Sequence, residues 1–180
     1  LLYGGIRYLP AEYLFERSRF AEAENRPELE RINLINRAKK HDPYNPLIFY
    51  HGGVARMNML SSRMSPLVSR AIAVKAREDF ATAVALDSRD VYSRIVYLGC
   101  LDWLGLTAEA DRLSEETIKL APINTNIRIS HARHLLRMGR WDEAEAFYRS
   151  VGGVSRTMHD TSSVHSDMGY IREQRALEQE

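Results

Sequence analysis

Apolar residues between positions 91 and 122 recur every three or four residues, which is the spacing of one face of an α-helix. The first run consists of Ile95, Leu98, Leu101 and Leu104, and the second of Ala110, Leu113, Thr117 and Leu120. Gly105 separates the two runs, and Pro122 follows the second. Because proline lacks a backbone N–H, a helix tends to end just before it. The pattern therefore predicts a helix–turn–helix over 91–122.

The same pattern returns 34 residues further along the chain. Gly139 takes the place of Gly105, and Ala144 takes the place of Ala110. A small residue at this place lets two helices approach closely, which is a packing role rather than a chemical one. We therefore predict a second helix pair over 125–151.

Looser copies of the pattern precede these two blocks. The first covers 10–43, with a helix over 10–25 that starts at Pro10, a turn at Arg26-Pro27 and a second helix that contains Ala38. The second covers 46–88, where Gly52 gives close approach and the join around 61–71 is longer than in the other blocks. Residues 1–9 are predicted to be a lead-in, 152–168 a polar loop and 169–180 a closing helix that covers the last apolar face.

The chain resembles the tetratricopeptide repeat (TPR) family, whose unit is a helix–turn–helix repeating every 34 residues or so. The matching residues are Gly105, Ala110, Pro122, Gly139, Ala144 and Tyr148. The resemblance implies an all-α fold, in which antiparallel helix pairs form a right-handed superhelix with a C-terminal capping helix. It also implies a non-catalytic module without a cofactor, which binds a peptide or helical segment of a partner in a concave groove.

Composition narrows the remaining classes of function. The chain has 180 residues, of which 44% are hydrophobic and 27% charged, and its net charge is +1, so nucleic acid is not an expected partner. Cys100 is the only cysteine, which excludes an intramolecular disulfide and a multi-cysteine zinc site. No apolar run approaches the roughly 18 residues of a membrane span, and we expect no signal peptide because the pattern of a basic start and a cleavage site is missing. The compartment stays open between cytoplasm and bacterial periplasm.

Residues that could carry chemistry are few. His131 and His134 are three apart on one predicted helix, a spacing that can bring two imidazoles to one metal. That helix offers no Asp, Glu or Cys as a further ligand, so we interpret both as helix-surface histidines. Cys100 is interpreted as packed rather than reactive. We predict no metal site and no catalytic constellation, and hence no enzyme.

The resemblance places one face of the first helix of each pair toward the groove. The candidate partner-binding residues transferred in this way are Phe49, Arg56, Tyr92, Ile95, Asp102, Asn126, Ile129, Arg133 and Arg137. This face combines an apolar floor with an arginine-rich end, where guanidinium groups can grip an acidic segment or a phosphate. The alternative is a solvated face on which the arginines pair with Glu143 and Glu145.

Two hypotheses of function follow. The first is a scaffold that binds a protein or peptide, with acidic character as one option for the partner. The second is a TPR appendage of a membrane-anchored envelope machine, such as a polysaccharide polymerase or ligase. The second hypothesis is motivated by the opening "LLYGG", which has no methionine, and any membrane tether would lie upstream of Leu1. The oligomeric state is left open.

Overall fold

The computed structural model describes the backbone of residues 2–152 and 158–177, and the side chains of 9–151 and 164–177. Across these ranges it contains helices and no strand, which confirms the predicted all-α class. The helices are α1 (Leu2–Ala23), α2 (Glu28–His41), α3 (Pro46–Asn58), α4 (Pro66–Leu86), α5 (Val91–Leu104), α6 (Thr107–Leu120), α7 (Thr125–Arg137), α8 (Trp141–Gly152) and α9 (Met158–Leu177). Within the described part of the chain, no helix is both long and apolar enough to cross a bilayer.

Local side chains fix several of the helix starts. The Asn45 side chain accepts a hydrogen bond from the Leu47 N–H, and the Asn124 side chain accepts one from the Ile127 N–H. Such caps satisfy backbone donors that have no partner within the helix. Helices α3 and α4 also begin with a proline, whose fixed φ and missing N–H suit the first helical position.

Two glycines end α5 and α7 in the same way. Gly105 has φ +72° and Gly139 has φ +71°, a left-handed conformation that disfavours residues with a Cβ. Glycine at the end of a helix commonly adopts it. The equal conformation at two positions 34 residues apart therefore agrees with the repeat register read from the sequence.

The chain divides into two compact units, residues 1–104 (unit 1) and 105–180 (unit 2). In unit 1, α1 to α4 each pack on the next helix, and α4 packs on α5. In unit 2, α7 packs between α6 and α8, and α9 lies against α7 and α8. The boundary between the units falls within the predicted repeat 91–122, and the division into repeats stays a prediction.

Each unit has an apolar core between its helices. The core of unit 1 includes Ala11, Leu14, Phe15, Ile32, Ile35, Ala38, Ile48 and Ala55. The core of unit 2 includes Ile129, Ala132, Leu135, Ala144, Tyr148, Val151, Val164 and Ile171. Small residues set the closest helix contacts: a Cβ added to Gly53 would lie 2.4 Å from the Phe80 ring. Helices α3 and α4 can therefore approach this closely only because Gly53 has no side chain.

Two boundaries differ from the prediction. Pro10 does not start α1 but lies inside it, and the helix includes the segment predicted as a lead-in. A proline removes only one backbone hydrogen bond, and buried Ala11, Leu14 and Phe15 hold the following turns in the core.

The predicted polar loop is wrong from residue 158 onward, because α9 begins at Met158 instead of Gly169. Val164 and Ile171 are seven residues apart, so they share one face of the helix, and both are buried in the core of unit 2. The many polar residues between them hid this pair in the sequence. Residues 153–157 and 178–180, which belonged to the predicted loop and closing helix, lie outside the described residues.

Candidate partner-binding surfaces

Arg56 and Phe49, two of the predicted partner-binding residues, lie on the same side of α3. Arg56 belongs to an ionic cluster that the sequence does not predict, and Phe49 contacts it. Arg56 Nη1 donates to Asp79 on α4 and to the Gly52 carbonyl oxygen at 3.0 Å. Its Nη2 donates to the Asn36 side chain at 2.9 Å. We call Lys39, Arg56 and Asp79 the α2–α4 cluster.

Lys39 completes the cluster from α2. Its Nζ donates to Asp79 Oδ1 at 2.5 Å and lies 4.9 Å from the centre of the Phe49 ring. The three charged side chains are only 12–13% exposed. A Cβ on Gly52 would lie 2.6 Å from the Asp79 carboxylate, so glycine at this position leaves the space that the ion pairs occupy.

The cluster holds two cations and one carboxylate. Desolvation lowers the pKa of Lys39, and the positive charge of Arg56 lowers it further, while Asp79 raises it. Burial of an ion pair is costly unless each charge is compensated. The side chains of the cluster therefore carry more positive than negative charge.

The sequence contains a signal that Asp79 forms a buried ion pair. Asp79 lies three residues after Ala76 and one before Phe80, both of which are buried on the inner face of α4. A carboxylate on an apolar face requires a cationic partner. The sequence could not say which cation supplies it, because Lys39 lies 40 residues earlier and Arg56 23 residues earlier.

Helix α5 presents the second group of predicted residues on one face. Tyr92 is 64% exposed, and Ile95 and Asp102 are half-buried. Between them, a Cβ on Gly99 would meet no described atom within 4 Å. The face thus offers an aromatic ring, an aliphatic side chain and open space at Gly99 to a partner.

The third group of predicted residues, on α7, contains both exposed and buried side chains. Asn126 and Arg137 are exposed, whereas Ile129 is only 5% exposed and belongs to the core of unit 2. Ile129 was expected to form the apolar floor of a groove. Its burial against α8 and α9 leaves it little surface for a partner.

Arg133 is bonded to the C-terminal helix of its own chain. Its Nε donates to Asp167 Oδ2 at 2.9 Å, and the Tyr148 hydroxyl donates to the same oxygen at 3.0 Å. Burial raises the pKa of Tyr148, and the charge of Asp167 raises it further, so the phenol remains a donor. Arg133, which was expected to bind an acidic partner, therefore already pairs with a carboxylate of its own chain.

Other arginines near α7 have partners as well. Arg140 pairs with Glu143 at 2.6 Å, which agrees with the predicted alternative of a solvated, paired face. Arg128 donates to Ser150 Oγ at 2.7 Å. Arg175 of α9 contacts Asp142 and pairs with Glu145 at 2.9 Å. The two contacts of Arg175 join α9 to α8 by charge, in addition to the apolar packing between them.

The two histidines of α7 point to different partners. His131 Nδ1 lies 2.6 Å from Ser114 Oγ, and His134 Nε2 lies 3.0 Å from Asp111 Oδ1. The expectation that both are surface histidines is wrong for His134, which is fully buried. Desolvation, with smaller effects from His134 and Arg140, lowers the pKa of His131 to about 4. Among the described residues, no group of His, Cys, Asp and Glu could hold a metal ion.

Comparison with known proteins gives a likeness of structure but not of sequence. No protein-family model matches the sequence, and none of the curated proteins does. The crystal structure of MamA protein has a TM-score of 0.71 and 14% identity, over 93% of this chain and 84% of that one.

Two further solved structures are described as TPR proteins. YrrB, a TPR protein with an unusual peptide-binding site, has a TM-score of 0.62 and 13% identity, over 91% of this chain and 76% of that one. The second TPR domain of human RPAP3, solved with an HSP70 peptide, has a TM-score of 0.57 and 17% identity, over 71% of this chain and 97% of that one. The chain therefore has the TPR fold that its 34-residue register predicts.

Proposed function

We propose that the chain is a non-catalytic interaction module that binds a peptide or helical segment of a partner protein. Support comes from the TPR fold together with the peptide complexes and peptide sites of similar structures. RPAP3 was solved with a bound peptide, and YrrB is described by its peptide-binding site. Identities of 17% and 13% to these two proteins carry the fold alone, so the ligand must be argued from this chain's own residues.

The face of α5 is the observation that carries the proposal. Tyr92 is exposed over 64% of its surface, and tyrosine often contributes strongly to binding because it buries a large rigid ring and keeps a polar tip. Ile95 adds aliphatic surface, and Gly99 leaves room for a partner's backbone to approach. Asp102 adds a polar side chain near the C-terminal end of α5.

The arginines of α7 extend the proposal to partners with acidic character. Arg137 and Asn126 are exposed, and Arg133 can bind an acidic segment only in competition with Asp167. An acidic partner would therefore gain less from Arg133 than from an arginine without a carboxylate beside it.

A peptide selection tests the proposal even while the natural partner is unidentified. We expect a displayed peptide library to yield binders of the parent chain that lose about tenfold or more in affinity for Tyr92→Ala, since exposed aromatic anchors contribute on this scale. Tyr44→Ala is the matched control, because Tyr44 is also an exposed tyrosine, at 76%, and is not part of the candidate face. Binders that respond equally to both variants would contradict the assignment to α5.

The same binders test the arginine end. Arg133→Glu combined with Arg137→Glu should weaken acidic peptides more at low salt than at high salt, because exposed charge pairs are screened. Arg112→Glu, an exposed arginine on α6, serves as the control. Unchanged affinities would show that these arginines belong to a solvated face and take no part in binding the peptides. The envelope-machine hypothesis stays a prediction, which the full reading frame of the gene would test.

A further inference from the structure

An apolar groove opens between α2 and α4, over the end of α3. Its volume is about 390 Å³. The apolar lining consists of Leu29, Ile32, Met59, Val68, Ala71 and Ile72. Leu29 is 59% exposed and Val68 48% exposed, so the apolar surface is open to solvent and not sealed inside unit 1. We call this surface the α2–α4 groove.

Two basic residues, Arg56 and Lys75, complete the lining. Lys75 Nζ pairs with Glu78 of its own helix at 2.9 Å, so that pair is balanced. Arg56 belongs to the α2–α4 cluster, where it shares one carboxylate with Lys39. The remaining side chain bonded to Arg56, Asn36, is neutral. The groove therefore has apolar walls and, in Arg56, a positive charge that shares its one carboxylate with Lys39.

The length of the groove along α4 suits two turns of a helix. Val68 and Lys75 are two turns apart on α4, which is about 10 Å along the helix axis. Two turns of a partner helix present apolar side chains three and four residues apart on one face, and such faces bind in apolar grooves between helices. A carboxylate beside this apolar face can reach Arg56, because Arg56 lines the same groove.

We propose that the α2–α4 groove binds an amphipathic helix of a partner protein, with its apolar face in the groove and a carboxylate of the helix near Arg56. The charge complementarity between that carboxylate and Arg56 carries this choice of occupant. The inference rests on the proposed function as an interaction module, and it adds a face other than that of α5. A bound carboxylate would also supply a second negative charge to the two cations of the α2–α4 cluster.

A library of amphipathic helical peptides, displayed on phage and selected on the full chain, tests the proposal. The variant is Val68→Asp, and the matched control is Leu47→Asp. Val68 and Leu47 are 48% and 50% exposed, and both lie in the first turn of a helix, where an added carboxylate is compatible with the helix dipole. Urea denaturation checks that both variants keep the stability of the parent.

We expect the selected peptides to carry an acidic residue next to their apolar stripe. They should lose about tenfold or more in affinity for Val68→Asp and less than about twofold for Leu47→Asp. Peptides that lose binding to Tyr92→Ala and keep binding to Val68→Asp would overturn this inference and leave the proposed function in place. A library that yields no binder of the parent chain would contradict both.

The charge is tested separately by Lys39→Met, which leaves Arg56 and Asp79 as a balanced pair. For the parent, a selected peptide with its glutamate should bind about fivefold or more tightly than the same peptide with glutamine, because a hydrogen bond to a charged group is stronger than one between neutral groups. For Lys39→Met this preference should fall below about twofold, while the affinity of the glutamine peptide stays unchanged. An undiminished preference for glutamate would show that the excess charge of the cluster has no part in binding.

Discussion

Arg56 in unit 1 and Arg133 in unit 2 were expected to play the same part, and each is instead bonded to an aspartate of a later helix. Arg56 contacts Asp79, and Arg133 donates to Asp167 at 2.9 Å. Their surroundings differ. The Arg56 side chain is 13% exposed and shares its aspartate with a second cation, whereas the Arg133 side chain is 40% exposed and shares its aspartate with a neutral phenol.

The comparison shows that the charge balance of an arginine depends on the helix packed beside it. In unit 1, α4 supplies one carboxylate for two cations, and positive charge is left over. In unit 2, α9 supplies Asp167 to Arg133, and its own Arg175 contacts both Asp142 and Glu145. An acidic ligand therefore has a stronger electrostatic reason to bind beside Arg56, although Arg133 is the more exposed of the two.

The largest expected effect that would sharpen this comparison is that of Asp79→Asn. The substitution leaves Lys39 and Arg56 as buried cations without an anion, and we expect it to lower the free energy of unfolding by about 3–5 kcal/mol. Chemical denaturation of the parent and the variant measures the change. A loss below about 1 kcal/mol would mean that water compensates the two cations.

The second effect concerns the close packing that places α4 against α3. Gly53→Ala would bring a methyl group to 2.4 Å from the Phe80 ring, and we expect a loss of about 1–3 kcal/mol from overpacking. Gly99→Ala is the matched control, because it also replaces a helical glycine but meets no described atom within 4 Å. The control should be neutral or stabilise by up to about 1 kcal/mol, since alanine favours helix more than glycine does. Equal effects of the two substitutions would contradict the packing of α3 on α4.

Asp167→Asn should have a smaller effect than Asp79→Asn. The amide oxygen can still accept from the Tyr148 hydroxyl, and Arg133 is partly solvated, so we expect a loss of about 1 kcal/mol. Amide hydrogen exchange should be faster in the variant than in the parent, and the increase should be larger in α9 than in α7. A loss as large as that of Asp79→Asn would remove the distinction drawn between the two clusters.

The smallest effect is the pH dependence due to His131. Its pKa is about 4 in the folded chain, whereas an unperturbed histidine has a pKa of 6.5, so the unfolded chain binds more protons between these values. Stability should therefore rise with pH from about 4 to 6.5 and be constant above that window with respect to this group. Because the ring is partly exposed and screened, we expect His131→Gln to remove less than about 1 kcal/mol of this dependence.

Denaturation at several pH values measures this contribution, with His41→Gln as the control at an exposed histidine. His51, whose pKa is lowered mainly by desolvation, remains in both variants and contributes the same sign. An equal pH dependence in parent and His131→Gln would show that His131 titrates normally in the folded chain.

Much of the helical architecture was predictable because its signals are local. Apolar spacing of three and four residues located α5 to α8, and Gly105 and Gly139 located the turns that follow α5 and α7. The start of α9 was not predictable in the same way. Val164 and Ile171 are too few to mark a helix among polar residues, and the core of unit 2 supplies the apolar surface that stabilises it.

The sequence by itself determined helices α2 to α8 and the glycine turns, because these depend on residues within a few turns of one another, and it determined the 34-residue register because the same local pattern occurs twice. It also placed Phe49, Arg56, Tyr92 and the other candidates on their helices. Only the tertiary structure decided that Ile129 is buried, that Arg133 bonds to Asp167, and that Lys39 joins Arg56 at Asp79. The physical reason is that exposure and charge balance are set by helices distant in sequence, and helical periodicity does not encode which of them pack together.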